Sequence, residues 1–305
     1  MSWLPGAKPG LETNCPDDLE LIIVPRAADL GSFKVHRVLP FRERQMVGPF
    51  IFWDQMGPGE FLSGQGLDVR PHPHIGLSTI TYLFDGSMHH RDSLGTDQTI
   101  LPGSVNIMTA GRGIVHSERT GREARAKPSR LFGIQSWLAL PQKTEQVSPS
   151  FTHGGKADLP FVEEDGLRMR VLLGEAYGLR SPVPSDWETL YLDAELKADK
   201  KFSIPRQTEE RALYILSGSL ELGGHRHDSQ RMLVLRPHVE VTVKAIQDTR
   251  FMVLGGAAMD GPRHIWWNFV ASSKELLEKA KDDWRAQRFP TVPGDDEEFI
   301  PLPNG

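Results

Sequence analysis

Two pairs of side chains at i, i+2 spacing constrain this chain more than anything else in it. They are His72-Pro73-His74 and His116-Ser117-Glu118. Successive residues of an extended strand point to opposite faces, so residues two apart share a face. Two such strands facing each other in a barrel bring three imidazoles and one carboxylate to a point. That donor set suits a divalent first-row ion. Metal chemistry is therefore the leading reading, and it calls for a β fold.

The turn residues agree. Glycine and proline number 29 and 23, about one residue in six, against an ordinary share of about 12%. That excess favours many tight turns and a β-rich chain. Short apolar runs are cut by turn signals. Leu21–Val24 reads as a strand after an irregular arm over residues 1–19, and Phe50–Trp53 precedes the turn Gly57-Pro58-Gly59. Leu77 to Phe84 leads into Asp85-Gly86-Ser87, a hairpin signal. A turn over residues 101–104 precedes a strand from Val105 to Met108. Strands at this spacing predict a barrel or jelly roll.

Residues 141–160 are polar and rich in Pro and Gly. A second series of strand-like runs follows, from Leu167 to Leu254. Tyr82-Leu-Phe-Asp-Gly-Ser87 and Tyr214-Ile-Leu-Ser-Gly-Ser219 are alike, which suggests two copies of one β-domain. The expected division is 1–145 for a metal-binding domain, 146–160 for a linker and 161–305 for a second domain. One persuasive helix lies near the C-terminus. Ser272 and Glu275 form a candidate capping box, Leu276, Leu277, Ala280 and Trp284 share a face, and Pro290 ends it. The apolar tail after Asp295–Glu298 is expected to pack back on the body.

Composition narrows the function classes. The 305 residues are 39% hydrophobic and 25% charged, with net charge -5, the profile of a soluble globular chain. No global basic field is present to hold nucleic acid or an anionic membrane. The single cysteine, Cys15, allows neither an internal disulfide nor a thiolate cage. No stretch approaches the roughly 18 apolar residues of a spanning helix, and no secretory signal is visible at Met1-Ser-Trp-Leu-Pro-Gly. A cytoplasmic monomer without membrane or nucleic-acid partners is the expectation.

Other histidines and charges have blander readings. His225-Arg226-His227 repeats the i, i+2 spacing without a matching Gly-x-x-His-x-Glu downstream, so an exposed turn is expected there. Arg119, Arg122, Arg125, Lys127 and Arg130, with only Glu123 among them, read as a solvated loop. At a pocket mouth the same loop could steer anionic ligands.

The order His72-x-His74, Gly86, Pro102-Gly103, Gly113-x-x-His116 follows the two cupin motifs. More narrowly, the chain resembles the pirins. The resemblance is carried by Arg70-Pro-His-Pro-His-Ile-Gly76, His90-Arg-Asp-Ser-Leu-Gly95, the run from Met108 to Glu118, Gly133-Ile134-Gln135 and the tail Phe299–Pro303. It implies an all-β bicupin, two tandem double-stranded β-helix (jelly-roll) domains, with a C-terminal helix and tail. It implies one metal ion in the first domain, held by His72, His74, His116 and Glu118. Where ordinary cupins carry a glutamate five residues after the second histidine, this chain has Thr79, and the last residue of the second motif is Thr120. Glu118 takes over as carboxylate ligand, and the second domain is expected to be metal-free. The ion implied is Fe(II), with Zn, Ni, Co, Mn or Cu as alternatives. The activity implied is quercetin 2,3-dioxygenase chemistry on a flavonol or enol with O2, with Glu118 as the catalytic base. The alternative is a metal- or redox-dependent interaction protein acting on transcription or a metabolic enzyme. His89 and His90 fall outside the implied ligand set, and Asp92 is placed to orient His90.

Overall fold

Alternation along the strands sorts this chain into three apolar or polar layers, and those layers decide where a site can exist. The structure is a computed structural model and describes residues 9–12, 15–29 and 34–303. Most of the expected N-terminal arm lies outside the described residues; its remainder includes a short strand, Gly10–Glu12.

Two jelly-roll barrels stand side by side. The first has a seven-stranded sheet in the order Ser150–Gly154, Val105–Thr109, Leu77–Gly86, Ser129–Ala139, Phe50–Phe61, Lys34–Leu39 and Arg26–Asp29. Facing it is a four-stranded sheet of Asp68–His74, Ile114–Arg119, Met88–Asp92 and Asp97–Ile100. The second barrel repeats the plan with eight and four strands. The largest apolar cluster joins the two, with Ile80, Tyr82 and Ile134 from one side and Tyr191, Tyr214 and Leu254 from the other.

The chain crosses between these bodies more than the sequence suggests. Leu19–Val24 pairs with Arg231–Leu235 and so completes the second barrel's sheet. Ser150–Gly154, inside the stretch read as linker, pairs with Val105–Thr109 of the first barrel. Polar composition hid this strand because it sits at a sheet edge, with Ser150 and His153 exposed.

Two turn signals carry a different meaning from the expected one. Gly57-Pro58-Gly59 lies within the continuous strand Phe50–Phe61, opposite a register shift between Leu131 and Gly133. It makes a bulge, for which Gly57 supplies φ +69. Asp85-Gly86 closes no hairpin either. Leu77–Gly86 pairs in the seven-stranded sheet, whereas Met88–Asp92 pairs in the four-stranded one. The turn is a corner that passes the chain from one sheet to the other.

The interiors of the two barrels differ in kind. In the first, strand register lines up Arg37, Asp54, Gln135, Thr81 and Asn106, one per strand across five strands. All five are buried. In the second, the corresponding rank is Val171, Leu192, Val253, Leu213, Leu233 and Ile22. A polar floor thus lies in one barrel and a filled apolar core in the other. Within the polar rank Arg37 and Asp54 form a bidentate pair at 2.9 and 2.7 Å, the geometry that best offsets the desolvation of both charges.

The helix Lys274–Arg285 forms as expected and buries Leu277, Ala280 and Trp284. Its N-cap is Ser273 rather than Ser272, with the Ser273 hydroxyl accepting from the Leu276 amide. Ser272 is turned away to Glu145, to which it donates through its amide and its hydroxyl. The helix stops at Arg285, before Pro290. Among the described residues no helix is long and apolar enough to cross a membrane.

Candidate metal centre

Strands Asp68–His74 and Ile114–Arg119 are antiparallel neighbours, with His116 opposite His72 and Ile114 opposite His74. This register carries His72, His74 and His116 to the same inner face. Their imidazoles are fully buried, and one nitrogen of each lies within 4.8 Å of the others. Glu118, on the far side of a register shift from His116, is also fully buried. Its carboxylate is not within that three-histidine group; one oxygen accepts from the Gln135 amide at 2.6 Å.

Hydrogen-bond partners decide which ring nitrogen of each histidine can donate an electron pair. The Nδ1–H of His72 donates to the Arg70 carbonyl at 2.8 Å, and that of His74 to the Asn268 carbonyl at 3.1 Å. Both rings therefore carry their lone pairs on Nε2. For His116 the chain is longer. Asp92 accepts from His90 Nε2 at 3.1 Å, which leaves His90 Nδ1 as an acceptor. His116 Nδ1 lies 3.4 Å from that atom, a long contact that fits donation to it. The His116 lone pair is then on Nε2 as well. Asp92 is held in turn by the amides of Leu94 and Thr96. Burial would raise its carboxyl, but the bonds from His90 and Thr96 outweigh this and hold it below the usual range.

The outcome is a site that fits a cation. His74 Nε2 and His116 Nε2 face each other at 3.1 Å, and with the tautomers that these partners favour neither nitrogen carries a proton. His72 Nε2 is buried without a hydrogen-bond partner. Lone pairs so close repel one another, and an unpartnered buried polar atom is costly; a bound ion relieves both. Burial keeps the rings neutral, pushing His72 down to about 3 and lowering His74 and His116 well below the usual range. An imidazole ligates a metal only in its neutral form, so these rings have no proton to lose before binding one.

Aromatic rings wall the site. Trp137 meets His74 edge-on at 5.2 Å and stacks on Phe52 at 4.0 Å. Phe151 stacks on His90 at 4.8 Å.

Comparison with known proteins gives the family. The pirin family profile matches residues 32–138, and the profile of the pirin C-terminal cupin domain matches residues 191–290. A pirin-like protein of Caulobacter vibrioides is 47% identical over 93% of this chain and 99% of its own length. The chain belongs to the pirin family. A Pseudomonas aeruginosa protein provisionally named as a quercetin 2,3-dioxygenase is 36% identical to this pirin over 89% of the chain and 86% of its own. The crystal structure of a quercetin 2,3-dioxygenase from Acinetobacter baumannii superposes with a TM-score of 0.86 at 35% identity, covering 93% of this pirin and 95% of that chain.

The remaining histidines of this pirin go elsewhere. His89 bonds Asp97 at 2.6 Å. His225-Arg226-His227 is a strand rather than an exposed turn, and only His225 of the two histidines is exposed. Among the described residues these histidines join no metal-type group. The basic loop is partly neutralised: Arg119 bonds Asp295, and Arg125 bonds Asp68. Two contributors had no functional role assigned from the sequence. Asn268 acts through a backbone carbonyl, which has no residue signature. Gln135 appeared only as part of a matching segment, because nothing in its spacing ties it to Glu118.

Proposed function

We propose that this pirin is a metal-dependent dioxygenase that opens the ring of a flavonol such as quercetin. His72, His74 and His116, with Glu118, would hold one ion, and Fe(II) is the ion of this reading. The observation that carries it is the convergence of three buried imidazoles, with ring nitrogens within 4.8 Å of one another and His72 Nε2 left without a hydrogen-bond partner. Similarity to proteins that bear the quercetin 2,3-dioxygenase name supports the substrate class. When bound, such an ion supplies Lewis acidity toward a phenolic oxygen and redox contact with dioxygen.

The chain's own residues supply the rest. Glu118 accepts the proton of the flavonol 3-hydroxyl, being the buried carboxylate on the ligand strand. Gln135 holds one Glu118 oxygen in place at 2.6 Å. Trp137 and Phe151 pack against His74 and His90 and give the site an apolar surround. Burial excludes water from the histidines.

The test is oxygen uptake by Fe(II)-loaded protein, followed against loss of flavonol absorption. Quercetin should be consumed with oxygen in step, and a flavonol methylated at its 3-hydroxyl should be inert. Equal rates on the two would overturn the mechanism. No turnover by protein confirmed to hold ferrous iron would overturn the activity in favour of a metal-dependent interaction role.

A further inference from the structure

The ligand strands have a second face, and the chain's C-terminal segment covers it. Alternation points His72, His74, His116 and Glu118 inward, so their neighbours Pro71, Ile75, Val115 and Arg119 point outward. Each of these neighbours touches residues 263–302. The Ile300 amide donates to the Pro71 carbonyl at 2.8 Å, and the Val270 amide to the Ile75 carbonyl at 3.2 Å. Ile75 and Val115 are buried in one cluster with Trp267, Leu277 and Trp284. Arg119 grips Asp295 bidentately at 2.7 and 2.8 Å and reaches Glu298 at 2.9 Å. Trp284 Nε1 donates to the Ile300 carbonyl at 3.1 Å, which ties the tail to the helix.

The fit is close enough to dictate residue size. Gly76 has φ +65, and a Cβ there would stand 2.0 Å from the Val270 carbonyl oxygen. One contact reaches the inner face itself: the Asn268 carbonyl receives the Nδ1–H of His74. The segment therefore sets the tautomer of one ligand and backs the strands of all four.

We propose that residues 263–302 are a positioning part of the metal centre, so that ion binding and docking of this segment stabilise each other. The proposal rests on the metal reading above. An ion needs its donors held at fixed separation, and Asp68–His74 is the edge strand of its four-stranded sheet, paired only with Ile114–Arg119, so this segment is the further support on its outer face. Coupling between two such events is reciprocal: whatever loosens the segment weakens the ion, and the ion tightens the segment by the same factor.

The experiment uses the full-length chain and Ni(II) alone as an air-stable probe. Asp295→Asn combined with Ile300→Pro removes the charge that Arg119 holds bidentately and the amide that bonds Pro71. Its Ni(II) affinity should fall about tenfold, within the usual range of such couplings. In the wild type, Ni(II) should slow hydrogen exchange at the Ile300 and Val270 amides by a similar factor. An affinity within twofold of the wild type, or exchange at those amides indifferent to Ni(II), overturns the proposal. The exchange measurement needs no variant, so it stands if the double variant fails to fold. Ni(II) binding by the wild type that is lost in His116→Ala would show the metal reading intact when the coupling fails. A wild type that binds no Ni(II) overturns both.

Discussion

The side-chain amide of Gln135 lies 2.6 Å from a carboxylate oxygen of Glu118, joining the seven-stranded sheet to a ligand strand across the barrel. Gln135 also contacts the Thr81 hydroxyl at 3.3 Å and stands in register with Asp54. The carboxylate that the proposed chemistry needs is therefore placed by the polar floor, not by its own strand alone.

Gln135→Leu keeps the bulk and removes the donor. A buried acceptor that loses a partner costs about 1–3 kcal/mol, so thermal stability should fall by that amount. Turnover should fall by roughly tenfold or more, because misplacing an acid–base group forfeits part of its usual 10²–10⁴-fold contribution. The comparison of kcat and KM against metal content would check this. Unchanged kcat in a fully loaded variant would remove Gln135 from the site.

Stability of the metal-free protein should depend on pH through the buried histidines. His72 titrates near 3 in the folded chain and near 6.5 when unfolded, and burial is the first cause. Below pH 6.5 the unfolded chain binds a proton that the folded chain refuses, so stability falls as pH falls toward 3 and is level above about 7. For His72 alone the loss between pH 7.5 and 5 is roughly 2 kcal/mol. His74 and His116 shift in the same direction. Urea titrations at the two pH values would measure the difference. In His72→Asn the difference should shrink by about that amount.

Losing one partner of the Arg37–Asp54 pair in the first barrel should cost far more than losing one partner of an exposed ion pair. Both partners are buried and their bonds are bidentate, and Arg37 also lies over the Phe52 ring at 4.7 Å. Arg37→Met strands a buried carboxylate and should cost about 3–5 kcal/mol. Removing both charges, as Arg37→Met with Asp54→Leu, should restore most of it. A double variant as unstable as the single one would locate the cost in packing.

Much of this was legible in the sequence. The i, i+2 pairs and the short apolar runs pointed to strands and to the three histidines that the structure brings together. The repeat Tyr82/Tyr214 marked a real symmetry. Tyr82 donates across the interface to Asp193 at 2.8 Å, and Tyr214 donates back to Gln55 at 2.8 Å. Partnerships between distant segments were not legible. Leu19–Val24 reads as a strand, but nothing in it names the second barrel as its sheet. Asp85-Gly86 encodes a turn, while the choice between hairpin and corner is made by which sheet the next strand can join. Asn268 contributes a carbonyl, which every residue has.

That symmetry can itself be tested. Asp193 is buried and is satisfied by Tyr82 together with Arg250, whose two bonds measure 2.9 and 2.5 Å. Tyr82→Phe removes one charge-assisted bond and should cost about 1.5–3 kcal/mol. Because Tyr82 sits in the cluster shared by both barrels, the two should still unfold in one transition. Calorimetry showing two transitions in the variant and one in the wild type would mean that the hydroxyl, rather than the apolar layer, couples the barrels.

The two interiors predict a single ion per chain. Across the second barrel the register rank is Val171, Leu192, Val253, Leu213, Leu233 and Ile22, which offers no donor to a cation. His227 is buried but His225, two residues away on the same short strand, is exposed, so only one of the pair reaches the interior, whereas His72 and His74 are both buried. Burial also lowers the His227 pKa, and among the described residues His227 joins no group of metal-type ligands. Elemental analysis should give one tightly held ion per chain in the wild type. Exchanging His225 and His227 for alanine should leave that value unchanged, and His116→Ala should bring it close to zero. Two ions in the wild type, with one lost in the His225/His227 variant, would mean that the second barrel offers ligands which its interior rank does not reveal.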